Sequence, residues 1–185
     1  STLTRMTIPT VIGIVAILFF NLADTYFIGL MGPAELAAVS FTFPVCNVLM
    51  NLSMGLVIGT AIHISSRIGR GDIAEARRTA AHALMLAVTI AIPAGMAGIL
   101  TLDPLFRLLG ADNTTIELIR EYMELWYAGF FLLVIPMVGN SVIRATGDTR
   151  TPSIIMAIAG LCNGIMDPLL IFGLGPFPEL GLKGA

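Results

Sequence analysis

The sequence predicts an all-α integral membrane protein, a helical bundle of five transmembrane helices followed by the start of a sixth. Apolar residues make up 56% of the 185-residue chain, and the mean hydropathy is +0.91. Charged residues make up only 12%, about half the ~25% of a soluble domain. The apolar residues gather in runs longer than the roughly 20 residues a helix needs to cross ~30 Å of hydrocarbon. They do not alternate in the ~10-residue segments of a membrane β-strand. The net charge of −2 offers no basic face to nucleic acid.

The first span is Ile8–Met31, and Gly32-Pro33 separates it from the second. Proline cannot continue a helix but suits the first turn of the next. The second span, Leu36–Ser65, carries Pro44, the small residues Gly55 and Gly59, and Asn47 and Asn51 on one stripe. Interhelical hydrogen bonding is the expected use of that stripe, with a substrate-cavity role as the alternative. Ser65–Arg78 reads as a short amphipathic connector on the membrane surface, in which Asp72 as N-cap and Glu75 three residues on form a capping-box variant. The third span is Thr79–Leu102. Thr114-x-x-Glu117 reads as a second capping box, heading a polar lead-in to the fourth span, Tyr122–Ile143. That span holds Pro136 and Asn140, with Trp126 and Tyr127 placed for an interfacial aromatic belt. Thr151 as N-cap and Pro152 at the first helical position open the fifth span, Ser153–Leu174. His63 and His82 lack metal-ligand spacing and are expected to be structural, and Cys46 and Cys162 to be small core residues.

With the N-terminus in the cytoplasm, the inner segments hold seven basic residues (Arg5, Arg67, Arg70, Arg77, Arg78, Arg144 and Arg150) and the outer ones three (Arg107, Arg120 and Lys183). This asymmetry fixes the expected orientation and a multi-pass location in the cell membrane, the inner or plasma membrane.

Two acids stand inside otherwise apolar spans: Asp24 in the first and Asp167 in the fifth. A carboxylate at such a depth costs roughly 2.5–3.5 kcal/mol on insertion scales, so it is a functional residue by default. No lysine or arginine lies in either span to neutralise them. Asn21 shares a helix face with Asp24, and Asn163 shares one with Asp167. Each acid is followed eight residues later by Gly-Pro, at Gly32-Pro33 and Gly175-Pro176, and then by Glu-Leu. Eight helical residues put both acids ~12 Å below the outer break, at one depth. The echo is the kind of internal repeat from which transporters are built, and it makes Gly181–Ala185 the start of a sixth span. Carboxylate and amide oxygens can replace the water shell of a small hard cation, and the same groups can hold a proton instead. Pro168, directly after Asp167, predicts a kink or frayed turn.

The motifs resemble a known family. Asn21-Leu-Ala-Asp24-Thr-Tyr-Phe-Ile-Gly29 with Glu35-Leu-Ala-Ala-Val39 is similar to the first helical hairpin of the multidrug and toxic compound extrusion (MATE) transporters. Arg67-Ile-Gly-Arg-Gly71-Asp72 resembles their second cytoplasmic connector, and Arg144-Ala-Thr-Gly147-Asp148-Thr-Arg-Thr-Pro152 the loop between their fourth and fifth helices. Asn163-Gly-Ile-Met-Asp167-Pro168 with Leu180-Gly-Leu-Lys-Gly-Ala185 resembles the fifth helix and the approach to the sixth. The resemblance covers the whole chain in order.

It implies one lobe of a two-lobe transporter, residues 1–185 being the N-terminal lobe ending before the sixth helix, with the second lobe in the same chain or in a second copy. It further implies an antiporter, not an enzyme. Such a protein exports drugs or other amphipathic organic cations by alternating access, in exchange for Na⁺ or H⁺ and without a cofactor. The coupling-ion site it implies, with a possible Na⁺, maps onto Asp24, Asn163 and Asp167, and also onto Asn140. Asn21, Asn47 and Asn51 are expected toward a substrate cavity. The partners expected are thus small organic cations and the lipid bilayer.

The nearest rival is a flippase for lipids or lipid-linked oligosaccharides; its phosphate-bearing cargo would call for basic residues inside the spans, and none is there. An intramembrane aspartyl protease needs two close aspartates sharing a proton, and Gly164-Ile-Met before Asp167 is not the GxGD pattern of such enzymes.

Overall fold

The computed structural model describes residues 11, 15, 18, 22, 25–173 and 180–184. Every extended element among them is helical. The first helix, α1, is described over 25–31, with residues 11, 15, 18 and 22 also helical. It is followed by α2 (Pro33–Gly69), α3 (Ile73–Leu108), α4 (Asn113–Ala145), α5 (Arg150–Ile171) and a 3₁₀ turn at Gly181–Gly184. Helices α2 to α5 are each long and apolar enough to cross a membrane, and the chain is an all-α, multi-pass membrane protein. Most of the first span, Asn21 and Asp24 included, lies outside the described residues, as does the Gly175-Pro176 break.

Helices α2, α3 and α4 exceed their expected bounds, while α5 keeps its expected length but starts and ends three residues earlier. At ~1.5 Å per residue, the 37 residues of α2 reach ~55 Å, well beyond the hydrocarbon. The separate surface helix expected over Ser65–Arg78 does not form. Instead α2 runs to Gly69 and α3 begins at Ile73. Gly71, at φ 77°, ends α2 with Gly71 N–H bonded to Ile68 O at 2.9 Å and Asp72 N–H to Arg67 O at 3.0 Å. These are the two bonds of a Schellman cap. Gly110 (φ 93°) ends α3 in the same way, through Gly110 N–H to Arg107 O and Ala111 N–H to Phe106 O. A left-handed glycine satisfies the last carbonyls of a helix within two residues and leaves no length for a connector helix.

The N-caps also differ from expectation. The polar lead-in before the fourth span is part of α4 itself, and Asp112, not Thr114, caps it. Asp112 Oδ1 accepts from Thr115 N–H at 2.9 Å, and Oδ2 from the Thr114 hydroxyl at 3.0 Å. Helix α5 begins at Arg150, with Thr149 as its N-cap residue and Pro152 buried in the first turn. Asp72 does precede α3, but its carboxylate faces Arg67 at 3.8 Å, and Glu75 faces Arg78 at 3.7 Å. Pro44, Pro136 and Pro168 all sit inside continuous helices. The two cysteines are not buried core residues: Cys46 is half-buried and Cys162 exposed.

The chain divides into two compact units. One comprises residues 43–102 and 126–148. Its core is Ala83, Ala87 and Ala91 of α3 against Phe130, Val134 and Val138 of α4, with Leu49, Leu56 and Val57 of α2 packed on it. Alanine at every fourth position lets the backbones approach. Gly95 and Gly98 continue the stripe: a Cβ at Gly95 would overlap the carbonyl of Tyr127, and one at Gly98 its ring. Tyr127 is therefore buried against α3 rather than lying in an aromatic belt, and Trp126 packs on Phe130 at 5.2 Å between ring centroids. Ser141 adds an interhelical hydrogen bond, its hydroxyl donating to Val57 O at 3.1 Å.

The other unit comprises residues 1–42, 103–125 and 149–185. Ile28, Val39 and Leu182 form its described core, with Leu118 and Tyr122 packed against them. Arg120 of α4 clamps both carboxylate oxygens of Asp103 on α3, at 2.6 and 2.7 Å. Both side chains are nearly half exposed, so the pair contributes about 0.2–1 kcal/mol.

Gly95→Ala is expected to destabilise the protein by about 1–3 kcal/mol, because the added methyl meets backbone that cannot rotate away; thermal unfolding of the purified full-length protein in detergent measures it. Asp112 carries a pH signature. Hydrogen bonds from Thr115, then Thr114, hold its carboxyl below the ordinary 3.8. Its contribution is therefore present above 3.8 and disappears as pH falls through the lowered value. Asp112→Ala should lower the unfolding temperature near neutral pH, and the gap from wild type should close below pH 3.8; a gap independent of pH would show that the carboxylate is not the capping group.

Candidate functional site

Asp167 is the chemically conspicuous residue of α5. It lies one turn before the helix ends at Ile171 and is 4% exposed. Asn163, one turn earlier on the same face, donates from Nδ2 to Asp167 Oδ1 at 2.9 Å. Several other intrahelical polar side chains turn back on their own backbone. Ser40, Asn47, Asn51, Ser53, Thr89 and Thr101 each bond the carbonyl four residues earlier. The Asn163 amide instead orients a carboxylate, the kind of oxygen donor that a small hard cation takes.

The surroundings of Asp167 follow from how α5 ends. The helix continues through Pro168 for one more turn, and Phe172 N–H bonds Pro168 O at 3.3 Å. Gly173 then turns the chain at φ 63°. After residues 174–179 the chain meets α5 again: Leu180 N–H donates to Leu170 O at 2.9 Å. Gly184 lies against the Leu170–Ile171 backbone so closely that a Cβ there would approach it to 2.7 Å. Phe172 meets Phe27 of α1 edge to face, with centroids 6.4 Å apart. The described end of α1 and the acid-bearing end of α5 are thus packed in one unit.

Of the other predicted site residues, Asp24 and Asn21 lie outside the described residues. Asn140 is half-buried in α4 and belongs to the other unit. Asn47 and Asn51 are exposed on α2, and their amide nitrogens bond Phe43 O and Asn47 O, each at 2.8 Å. The expected interhelical bonding is replaced by bonding within the helix. Among the described residues no group of three or more His, Cys, Asp or Glu side chains is arranged to hold a metal ion.

The comparisons with known proteins agree with one another. The MatE family model matches residues 9–169. Over 99% of its length the chain is 45% identical to a protein of Shewanella oneidensis named FAD transporter, and 28% identical to the probable multidrug resistance protein NorM of Thermotoga maritima. It spans about 40% of the length of these curated relatives. Among solved structures, 98% of the chain superposes with TM-score 0.89 and 33% identity on an outward-facing multidrug resistance MATE family transporter, covering 40% of it. A MOP superfamily transporter from Pyrococcus furiosus matches with TM-score 0.89 and 34% identity. The family is one of transporters, not enzymes. The chain belongs to the MatE family, the MATE transporters.

Proposed function

We propose that residues 1–185 form the N-terminal lobe of a two-lobe exporter, and that Asp167, Asn163 and Asp24 make up its coupling-ion site. The carrying observation is the burial of Asp167, at 4% exposure, inside an apolar helix with Asn163 bonded to it at 2.9 Å. An acid held there needs a proton or a cation to offset the cost of desolvation. The contact between Phe27 and Phe172 supports the inclusion of Asp24. Phe27 stands three residues after Asp24, and Phe172 five after Asp167, so an ion at α5 is positioned to bias the packing of α1. Only a difference in ion affinity between the outward and inward states can drive transport. Na⁺ and H⁺ both meet that requirement. The N-terminus lies in the cytoplasm of a cell (inner or plasma) membrane, in keeping with seven basic residues against three.

For the cargo, the multidrug relatives support drugs, and amphipathic organic cations are the class expected from the sequence resemblance. A second reading is specifically favoured by similarity: the relative named FAD transporter is 45% identical, against 28% and 24% for two multidrug relatives. On that reading the cargo is an anionic flavin dinucleotide.

In proteoliposomes of the full-length protein, Asp167→Asn and Asp24→Asn should each uncouple efflux from an imposed Na⁺ or H⁺ gradient. The loss corresponds to a coupling of ~1–3 kcal/mol, or roughly 5–150-fold. Full gradient-driven efflux in both variants would refute the ion site. Vesicles loaded with FAD or with a cationic dye separate the cargo readings, since only the true cargo leaves in a gradient-dependent way.

A further inference from the structure

A second polar cluster lies away from Asp167, wholly within the unit of residues 43–102 and 126–148. A cavity of about 290 Å³ between α2 and α3 is lined by Thr60 and His63 from one helix and by Thr79 and His82 from the other. Both Thr–His pairs are spaced i,i+3, so each helix presents a hydroxyl and an imidazole on one face. The floor is apolar and open, made by Gly55, Leu56, Gly59, Ala83 and Leu86. A Cβ built at Gly55 or Gly59 meets nothing within 4 Å.

Among the described residues, none of these four polar side chains has a hydrogen-bond partner. Thr60 is the most telling. It is 5% exposed, yet its hydroxyl does not return to its own helix as those of Thr42, Ser53, Thr89 and Thr101 do. A buried, unsatisfied hydroxyl in native protein calls for a partner. The cavity lies toward the arginine-rich end of the hairpin. Arg67 is one turn beyond His63, and Arg78 is one turn before His82. Ser65–Arg78 carries four arginines against two acids. Arg67 and Arg78 hold those acids only at 3.7–3.8 Å from exposed positions, and Arg70 and Arg77 are exposed.

We propose that this cavity binds an anionic phospholipid of the leaflet at the arginine-rich end. The phosphate accepts from the imidazole and hydroxyl groups of His63, His82, Thr60 and Thr79, beneath the arginines. An acyl chain lies along the glycine floor. Positive charge at the headgroup level above an apolar groove is complementary to such a lipid. The proposal is independent of the transported cargo and of the coupling ion.

The test is native mass spectrometry of the full-length protein in detergent, titrated with phosphatidylglycerol or phosphatidylcholine. Phosphatidylglycerol should bind in preference. His63→Ala with His82→Ala should weaken it at least about tenfold, the scale of one lost hydrogen bond to a charged group. Gly59→Leu adds a side chain to the groove where a Cβ meets nothing within 4 Å and should weaken phosphatidylglycerol equally while leaving the unfolding temperature unchanged or raised, so the test survives if the histidine variant folds poorly. Unchanged phosphatidylglycerol binding in Gly59→Leu would overturn the proposal. So would equal retention of phosphatidylcholine, competition by inorganic phosphate at lipid-like concentrations, or the groove being covered by another segment of the full-length protein.

Discussion

Inside a bilayer there is no water to take up the hydrogen bonds of the backbone, so every crossing segment must close its own. Most features of this protein answer to that constraint. The crossings α2 to α5 are helices of 22 to 37 residues, continuous through Pro44, Pro136 and Pro168. Where helices end, the orphan groups are satisfied within a few residues, by left-handed glycines at Gly71 and Gly110 and by the Asp112 carboxylate. Outward faces carry large apolar side chains, such as Leu52, Ile62 and Leu132, each more than half exposed. On a soluble protein these would form an aggregation-prone surface. Against lipid tails they are the appropriate one.

The same constraint sets the cost of side-chain polarity. Several serine, threonine and asparagine side chains in these helices bond the carbonyl one turn back, which neutralises them at little expense. Asp167 has no such local route, since a carboxylate cannot donate to a carbonyl while ionised. It is buried beside an amide instead, with Asn163 bonded to it, and the proposed ion site starts from that burial. Thr60, His63, Thr79 and His82 also depart from the local route, and they converge on one cavity. Packing without a hydrophobic drive between helices explains the rest of the interior. Small residues at Ala83, Ala87, Ala91, Gly95 and Gly98 let the helices touch closely enough for dispersion to hold them.

Much of the fold is legible in the sequence, because length and apolarity alone identify a membrane helix. The break at Gly32-Pro33 falls where the sequence puts it, between residue 31 and the start of α2. Most differences lie at helix ends. The polar residues of Ser65–Arg78 and those ahead of Tyr122 read as segments separate from the spans, yet most of them extend α2, α3 and α4 past the hydrocarbon. Hydropathy reports where the apolar solvent stops; helix hydrogen bonding stops only at a glycine or a cap. Asp112 is hidden as a cap because Thr114 fits the capping-box pattern equally well, and only the geometry shows which oxygen receives Thr115 N–H. Tyr127 is ambiguous because an aromatic near the end of an apolar span fits either a membrane interface or a glycine-lined groove, and Gly95 and Gly98 decide for the groove.

The sequence by itself determined the class of the protein and its most informative residues. Acids in apolar spans are costly in any arrangement, so Asp24 and Asp167 stand out before any contact is known. The i,i+4 spacing of Asn163 and Asp167 likewise fixes their shared face, since helical geometry is local. Tertiary structure decided what spacing cannot carry across helices. It buries Asp167, brings the ends of α1 and α5 together through Phe27 and Phe172, and turns two unremarkable histidines on different helices toward one cavity. Those facts depend on which faces of separate helices pack together, a choice made by complementary small and large side chains far apart in the chain.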